Sequence, residues 1–171
     1  MTLETERLIL RPITIDDADE VFKYSSEANV GRRAGWKPHE SREETIEVMK
    51  LVFIDKAGVF ALVYKETGKI IGSIGLICDP KRENNAARML GYAISEHFWG
   101  KGLMTEAAKE IIRYGFDDLK LKLISAYCYP HNLGSKRVLE KCGFTYEGRL
   151  RLCEQLYDGS VYDNECYSLL K

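Results

Sequence analysis

No apolar run in this chain is long enough to cross a bilayer; residues 70–77, a typical example, fall far short of the ~20 residues that a spanning helix needs. Arg7 and Arg11 interrupt the one stretch near the start that could act as a signal core, so a cytoplasmic protein with no membrane partner is expected. Neither sign of charge dominates. With 25 basic and 26 acidic residues, a formal net charge of −1, there is no electrostatic footprint for nucleic acid or an anionic surface. C-x-x-C spacing is absent too. Five cysteines, an odd number, sit mostly in apolar strand-like segments and read as reduced core thiols rather than metal ligands, and no metal is expected. Four prolines, no internal repeat and no low-complexity stretch leave nothing to divide the chain, so residues 1–171 are expected to form one domain.

What is present is an alternation of short elements. Residues 6–11 read as a strand, and two helices follow: 15–25, opened by Thr14 and an acidic first turn, and 41–54, where Ser41 and Glu44 form a capping box. Between them, 26–40 is polar, with Trp36 and Pro38 near its end, and reads as an exposed connection of the kind that lines binding sites. Strands over 59–65 and 69–78 flank Glu66-Thr67-Gly68 and predict a hairpin, and 88–94 adds a strand. Over 103–117, Met104, Ala107, Ala108, Ile111 and Ile112 recur at helical spacing and predict one buried face. A strand over 123–129 precedes a short helix over 132–141, with Asn132 at its N-cap and Gly143 past its end. Strands over 144–156 and 161–170 flank Tyr157-Asp158-Gly159-Ser160, whose central Asp-Gly predicts a two-residue turn. The fold class is therefore α/β, with a mixed, mostly antiparallel sheet of about seven strands, helices on both faces and a parallel pair at the centre.

The segment Trp99-Gly100-Lys101-Gly102-Leu103-Met104-Thr105-Glu106-Ala107 joins a strand to a helix through a glycine-bearing turn. Free N–H groups at the first turn of a helix, with the positive end of its dipole, attract an anion, and glycines let that anion come close. The turn is not a Walker loop, since the order is Gly-Lys-Gly and Thr105 arrives too late. Nor is it a dinucleotide fingerprint: Thr105 stands where the third glycine belongs, and Lys120 and Lys122 lie where an acidic residue would follow.

Strand Gly91-Tyr92-Ala93-Ile94, then Ser95 to Gly102, then a helix from Leu103, resembles the acetyl-CoA signature Q/R-x-x-G-x-G/A of the GNAT superfamily of N-acetyltransferases. Asn132, Ser135, Leu139, Glu140, Lys141, Gly143 and Phe144 resemble the family's second motif, N-x-x-S-x-x-x-L-E-K-x-G-F. The opening Glu4-Thr5-Glu6-Arg7-Leu8-Ile9-Leu10-Arg11-Pro12, with Glu147-Gly148 and Arg151, is most similar to the subgroup containing ribosomal-protein alanine and serine N-acetyltransferases. The resemblance covers nearly the whole chain.

It implies a GNAT-like sheet whose central parallel pair splays apart, with the pantetheine arm of acetyl-CoA in the gap, paired with backbone groups around Ile94. It also implies that amides from Phe98 through Trp99, Gly100, Lys101 and Gly102 to Leu103, with the Thr105 hydroxyl, hold the pyrophosphate, and that Asn132 contacts pantetheine. His97 stands where the family usually has Gln or Arg. Lys101 is either a phosphate counter-charge or a solvated lysine, and Asn132 serves as a helix cap as well.

The implied reaction is direct attack of an amine on the thioester, without a metal, which needs an oxyanion donor near Ile94 and a proton for the departing thiolate. The tyrosine many relatives use as acid is replaced by Leu139. Ser135 is the remaining candidate, its alternative being a helical serine bonded to a nearby amide. Met89 replaces a glutamate that relatives often use as base. Glu154 is either its substitute, acting through a water, or an exposed strand glutamate. With no obvious strong base, the expected acceptor is a primary amine of low pKa, above all a protein N-terminus or a small-molecule amine; the alternatives are a polyamine, amino-acid or antibiotic N-acetyltransferase, or a noncatalytic acyl-CoA-binding module that lacks the tyrosine and glutamate of its relatives. The acceptor pocket is expected between residues 29–39 and the hairpin 152–163. Arg32 and Arg33 would suit an acidic acceptor, and Glu154, Asp158 and Asp163 a cationic one. Trp36 is a pocket wall or a loop anchor. Monomer and homodimer are both open.

Overall fold

The computed structural model describes residues 1–171. In chain order its elements are β1 (Leu3–Glu4), β2 (Leu8–Arg11), α1 (Ala18–Ser25), α2 (Ala28–Ala34), α3 (Arg42–Val52), β3 (Val59–Tyr64), β4 (Lys69–Ile77), β5 (Ala87–Ile94), α4 (Leu103–Asp117), β6 (Leu123–Cys128), α5 (Leu133–Lys141), β7 (Thr145–Gln155) and β8 (Val161–Leu170). The strands form one eight-stranded sheet in the order β1-β2-β3-β4-β5-β6-β8-β7. Every neighbouring pair is antiparallel except β5 and β6. The strand beyond the expected seven is β1, a two-residue ladder of Leu3 and Glu4 against Leu10 and Ile9.

Alternation along the strands sorts side chains into two cores, because successive residues point to opposite faces. Phe60 and Leu62 of β3 face α4 and α5, together with Ile74 and Leu76 of β4 and Ile124 of β6. Val59, Ala61 and Val63 face the other way, onto Val21 and Tyr24 of α1, Val30 of α2 and Met49 of α3. The apolar face expected of α4 is buried, with Ala107, Ala108 and Ile111 fully enclosed.

Several local expectations are corrected. Residues 26–40 are not simply an exposed connection: they contain α2, with Val30 and Gly31 buried and Gly35 in the left-handed conformation at its end. Gly31 is packed so closely that a Cβ there would lie 2.7 Å from the Trp36 carbonyl oxygen. The Ser41 side chain caps α3 by accepting from Glu44 N–H, and the Glu44 carboxylate reaches back chiefly to the amide of Glu40, with that of Ser41 second. The last hairpin is wider than a two-residue turn. Gln155 pairs with Val161, and Gly159 is the loop residue with positive φ, whereas the two-residue type I′ turn needs positive φ at both central positions. Of the cysteines, Cys128 and Cys166 are buried and Cys142 half-buried, while Cys78 and Cys153 are exposed, so the core-thiol reading fails for those two.

Candidate functional site

The site begins where the one parallel pair of strands ends. β5 and β6 pair at Ala87↔Leu123, Arg88↔Ile124 and Met89↔Ser125, whereas β5 continues against β4 as far as Ile94. Residues 90–94 therefore have a strand on one side only, and a gap opens toward β6.

Beyond Ile94 the chain makes a single 3-10 turn and enters the glycine turn. Gly100 and Gly102 have φ of +73° and +78°, a region in which a Cβ is strained. The first backbone bond of α4 runs from Glu106 N–H to the Gly102 carbonyl, so the amides of residues 101–105 donate to no backbone carbonyl. That is the anion-binding end of a 15-residue helix. The cradle is braced from behind by the opening segment of the chain. Glu106 accepts from Thr5 Oγ1 at 2.6 Å and from Arg7 N and Nε at 2.8 and 2.7 Å, while Arg7 Nη1 donates to the Lys101 carbonyl. These bonds hold the Glu106 carboxyl below its ordinary range against the opposing effect of burial.

A cavity of about 470 Å³ runs from this cradle along the gap. Ile94, Phe98, Trp99, Gly100, Gly102, Leu103 and Thr105 line it, as do Asn132 and Ser135 from the first turn of α5. Lys101 does not. Its ammonium lies 5.2 Å from the centre of the ring of Phe98, which does line the cavity. The cations on the cavity are instead Arg33, Arg137 and Lys141. The Ile94 carbonyl already accepts from the Trp99 indole at 2.8 Å, and the Arg33 guanidinium covers that indole at 4.2 Å. Asn132 caps α5, its Oδ1 accepting from Ser135 N at 3.1 Å, and its Nδ2 donates to the Arg33 carbonyl. Leu139 is fully buried, as an apolar residue at that position requires.

A second cavity, of about 580 Å³, lies on the other side of the gap. It shares Arg33, Ala34, Tyr92, Asn132 and Ser135 with the first, so the two meet at the Tyr92–Ser135 contact, where the hydroxyl oxygens are 2.8 Å apart. Burial pushes the Tyr92 phenol well above its ordinary value, and Met89 also lines this second space. Glu154 is its one lining carboxylate. That side chain is not an exposed strand glutamate: it is half-buried, with Oε1 accepting from Tyr129 at 2.7 Å and Oε2 from Asn164 at 2.9 Å. Burial, reinforced by the bond to Glu154, raises the Tyr129 phenol.

Arg32 and Trp36 are not on either cavity. Trp36 donates its indole N–H to the Ser25 carbonyl and packs on the core beneath α1 and α2, which places it as a loop anchor. Arg32 is exposed, close enough to Asp158 and His131 to depress both their pKa values, although burial is the larger cause at His131 and bonds from Ser160 at Asp158. Tyr129, Asn164 and Arg137 belong to no motif, and Tyr92 and Lys141 stand within the two motif segments without a role of their own there. The two basic residues had a signal, since they stand four apart on α5 and so share a face. The others become neighbours only through the sheet.

The fit of a CoA thioester can be judged from these features. Free amides and cationic side chains suit phosphates, the cavity beyond them suits a long flexible arm, and the junction with the second cavity is where the thioester and an acceptor can meet. A Cβ on Gly100 would meet no protein atom within 4 Å, so the turn's glycine leaves room for a ligand and not for a neighbouring side chain. Fold and site together define an acyl transferase that takes its acyl group from a phosphate-bearing thioester.

The comparisons are specific. Residues 7–145 match the family model described as an acetyltransferase (GNAT) domain, and the chain belongs to that family. It is 34% identical over 174 residues to the uncharacterized N-acetyltransferase YoaA of Bacillus subtilis, covering 99% of this chain and 96% of that one. Among solved structures it is similar to a GNAT-family acetyltransferase from Bacillus anthracis, with TM-score 0.87, 26% identity and coverage of 99% and 98%. The ribosomal-protein-S5-alanine acetyltransferase of Vibrio fischeri gives TM-score 0.76 at 26% identity, covering 99% and 96%. The microcin C7 self-immunity acetyltransferase MccE, solved with acetyl-CoA and AMP, gives 0.82 at 25%, covering 98% and 94%. The protein is thus an acetyl-CoA-dependent N-acetyltransferase.

Proposed function

We propose that the acceptor is the α-amine of a protein N-terminus, and that Ser135 and Glu154 serve the transfer from opposite sides of the junction. The observation that carries this reading is the meeting of the two cavities at Tyr92, Asn132 and Ser135, with Glu154 alone supplying a carboxylate on the acceptor side. The cradle amides of residues 100–105 and the cations Arg33, Arg137 and Lys141 take the phosphates of acetyl-CoA. The amine nitrogen attacks the thioester carbonyl, the C–N bond forms as the C–S bond breaks, and the electron pair leaves on sulfur. A water held by Glu154 accepts the proton shed by the amine. Ser135 donates a hydrogen bond to the departing thiolate, which with a thiol pKa of about 8.5 needs little further help.

The choice of acceptor follows from that single carboxylate. A lysine side chain, with pKa about 10.4, costs about 3.7 kcal/mol more to deprotonate than an α-amine at about 7.7. A site with one weak base therefore favours the α-amine. Similarity to the S5-alanine acetyltransferase of Vibrio fischeri supports the same acceptor. The test compares CoA thiol release with an Ala- or Ser-headed peptide against release with its N-blocked, lysine-bearing counterpart. Faster turnover of the free N-terminus is expected. Preference for the blocked peptide, or for a small-molecule amine over both, would overturn the assignment.

A further inference from the structure

Tyr92 stands three residues beyond Met89, the last residue of β5 paired with β6, and so lies in the splayed part of the sheet where it borders both cavities. Its hydroxyl is 2.8 Å from Ser135 Oγ and 3.4 Å from the Ser135 carbonyl oxygen. No other side-chain or backbone group hydrogen-bonds the phenol, so its one proton has Ser135 as its destination, and Oγ is the nearer acceptor. Serine hydroxyls in helices commonly bond back to a carbonyl one turn earlier. Ser135 does not: its hydroxyl meets Tyr92 at 2.8 Å and lies beside the Cys128 thiol, while its amide is taken by Asn132. The serine is thus held from two directions, by the cap of α5 through its backbone and by β5 through its side chain.

We propose that Tyr92 is a positioning residue for the transfer, its phenol donating to Ser135 Oγ and thereby turning the serine's own proton toward the sulfur that leaves. A hydroxyl has one proton and two lone pairs. With a lone pair engaged by the phenol, the proton is released from any bond to Tyr92 and is directed into the junction of the cavities. Burial keeps the phenol protonated, so that it remains a donor throughout the working pH range. This inference rests on the role proposed above for Ser135.

The test is a double-mutant cycle with Tyr92→Phe and Ser135→Ala. The readouts are CoA thiol release with a short Ala-headed peptide and the slow acceptor-independent hydrolysis of acetyl-CoA. Tyr92→Phe keeps the ring and its packing and removes one oxygen. It is expected to lower kcat about tenfold, the scale of one hydrogen bond, with KM for acetyl-CoA within about twofold of the parent. Ser135→Ala is expected to lower kcat at least as much, and adding Tyr92→Phe to it should change nothing further. Equal losses from Tyr92→Phe in both backgrounds, or a loss confined to acetyl-CoA affinity, would overturn the coupling while leaving Ser135 in place. Ser135→Ala turning over at the parent rate would overturn the role of Ser135 and the coupling with it.

Discussion

The Tyr129 hydroxyl donates to Glu154 Oε1 across 2.7 Å, and a Cβ on Gly35 would lie only 2.3 Å from that hydroxyl. The end of α2 is therefore pressed against the Tyr129–Glu154 pair on the second cavity. Gly35 also has φ of +88°, so it is required twice, once by the turn and once by the close approach. Gly35→Ala is expected to cost about 1–3 kcal/mol of stability through backbone strain. It should also depress turnover by more than it depresses acetyl-CoA affinity. Thermal melts, isothermal titration with acetyl-CoA and steady-state rates on one preparation check this.

Glu154 is held by two donors, Tyr129 just past the end of β6 and Asn164 on β8, and its side chain lines the second cavity. Glu154→Gln preserves the shape and removes the proposed base. A fall in kcat of about 100-fold is expected, with KM for acetyl-CoA unchanged. Retention of full activity would remove Glu154 from the mechanism.

Gly100 separates cofactor binding from folding. No protein atom lies near its missing Cβ, so Gly100→Ala should destabilise the fold by only about 1 kcal/mol, from the positive φ. Under the proposed placement of acetyl-CoA, the added methyl takes space beside the turn that the ligand would use. Affinity for acetyl-CoA should therefore fall about tenfold or more, measured by titration at fixed ionic strength.

Glu165 links three elements, since Arg149, Tyr146 and Lys136 all donate to its buried carboxylate. These bonds, Arg149 foremost, hold it at about 2 against an ordinary 4.5. A folded-state pKa below the unfolded one means that the unfolded chain binds the proton first. The stabilisation is thus complete above pH 4.5 and is lost as pH falls toward 2. In urea unfolding, Glu165→Gln should lower the midpoint most near about pH 7, and the gap to the parent should narrow at about pH 3. A gap independent of pH would contradict the assignment.

Local chemistry explains what was legible in the chain and what was not. The helix at 103–117 carries a buried stripe at its own period and announces its start with Gly102, so both the element and the glycine turn before it are legible in the sequence. The α2 helix is not. At seven residues it is too short to be stable alone, and it forms because Val30 packs into the core and Gly31 fits against the Trp36 backbone. The Asp-Gly turn misled because Asp158 Oδ1 engages the Ser160 amide, which supports a wider loop than the dipeptide suggests.

Periodicity and groups within one turn of one another suffice to fix the mixed α/β plan with helices on both faces, the glycine turn before α4 and the cap at Asn132. Tertiary structure alone decided where β5 leaves β6, which cations reach the cofactor cavity, and that Tyr92 meets Ser135 and Tyr129 meets Glu154. Those partners are 43 and 25 residues apart in the chain. No local pattern encodes such contacts; they exist only because the sheet brings distant strands and α5 to the two sides of one gap.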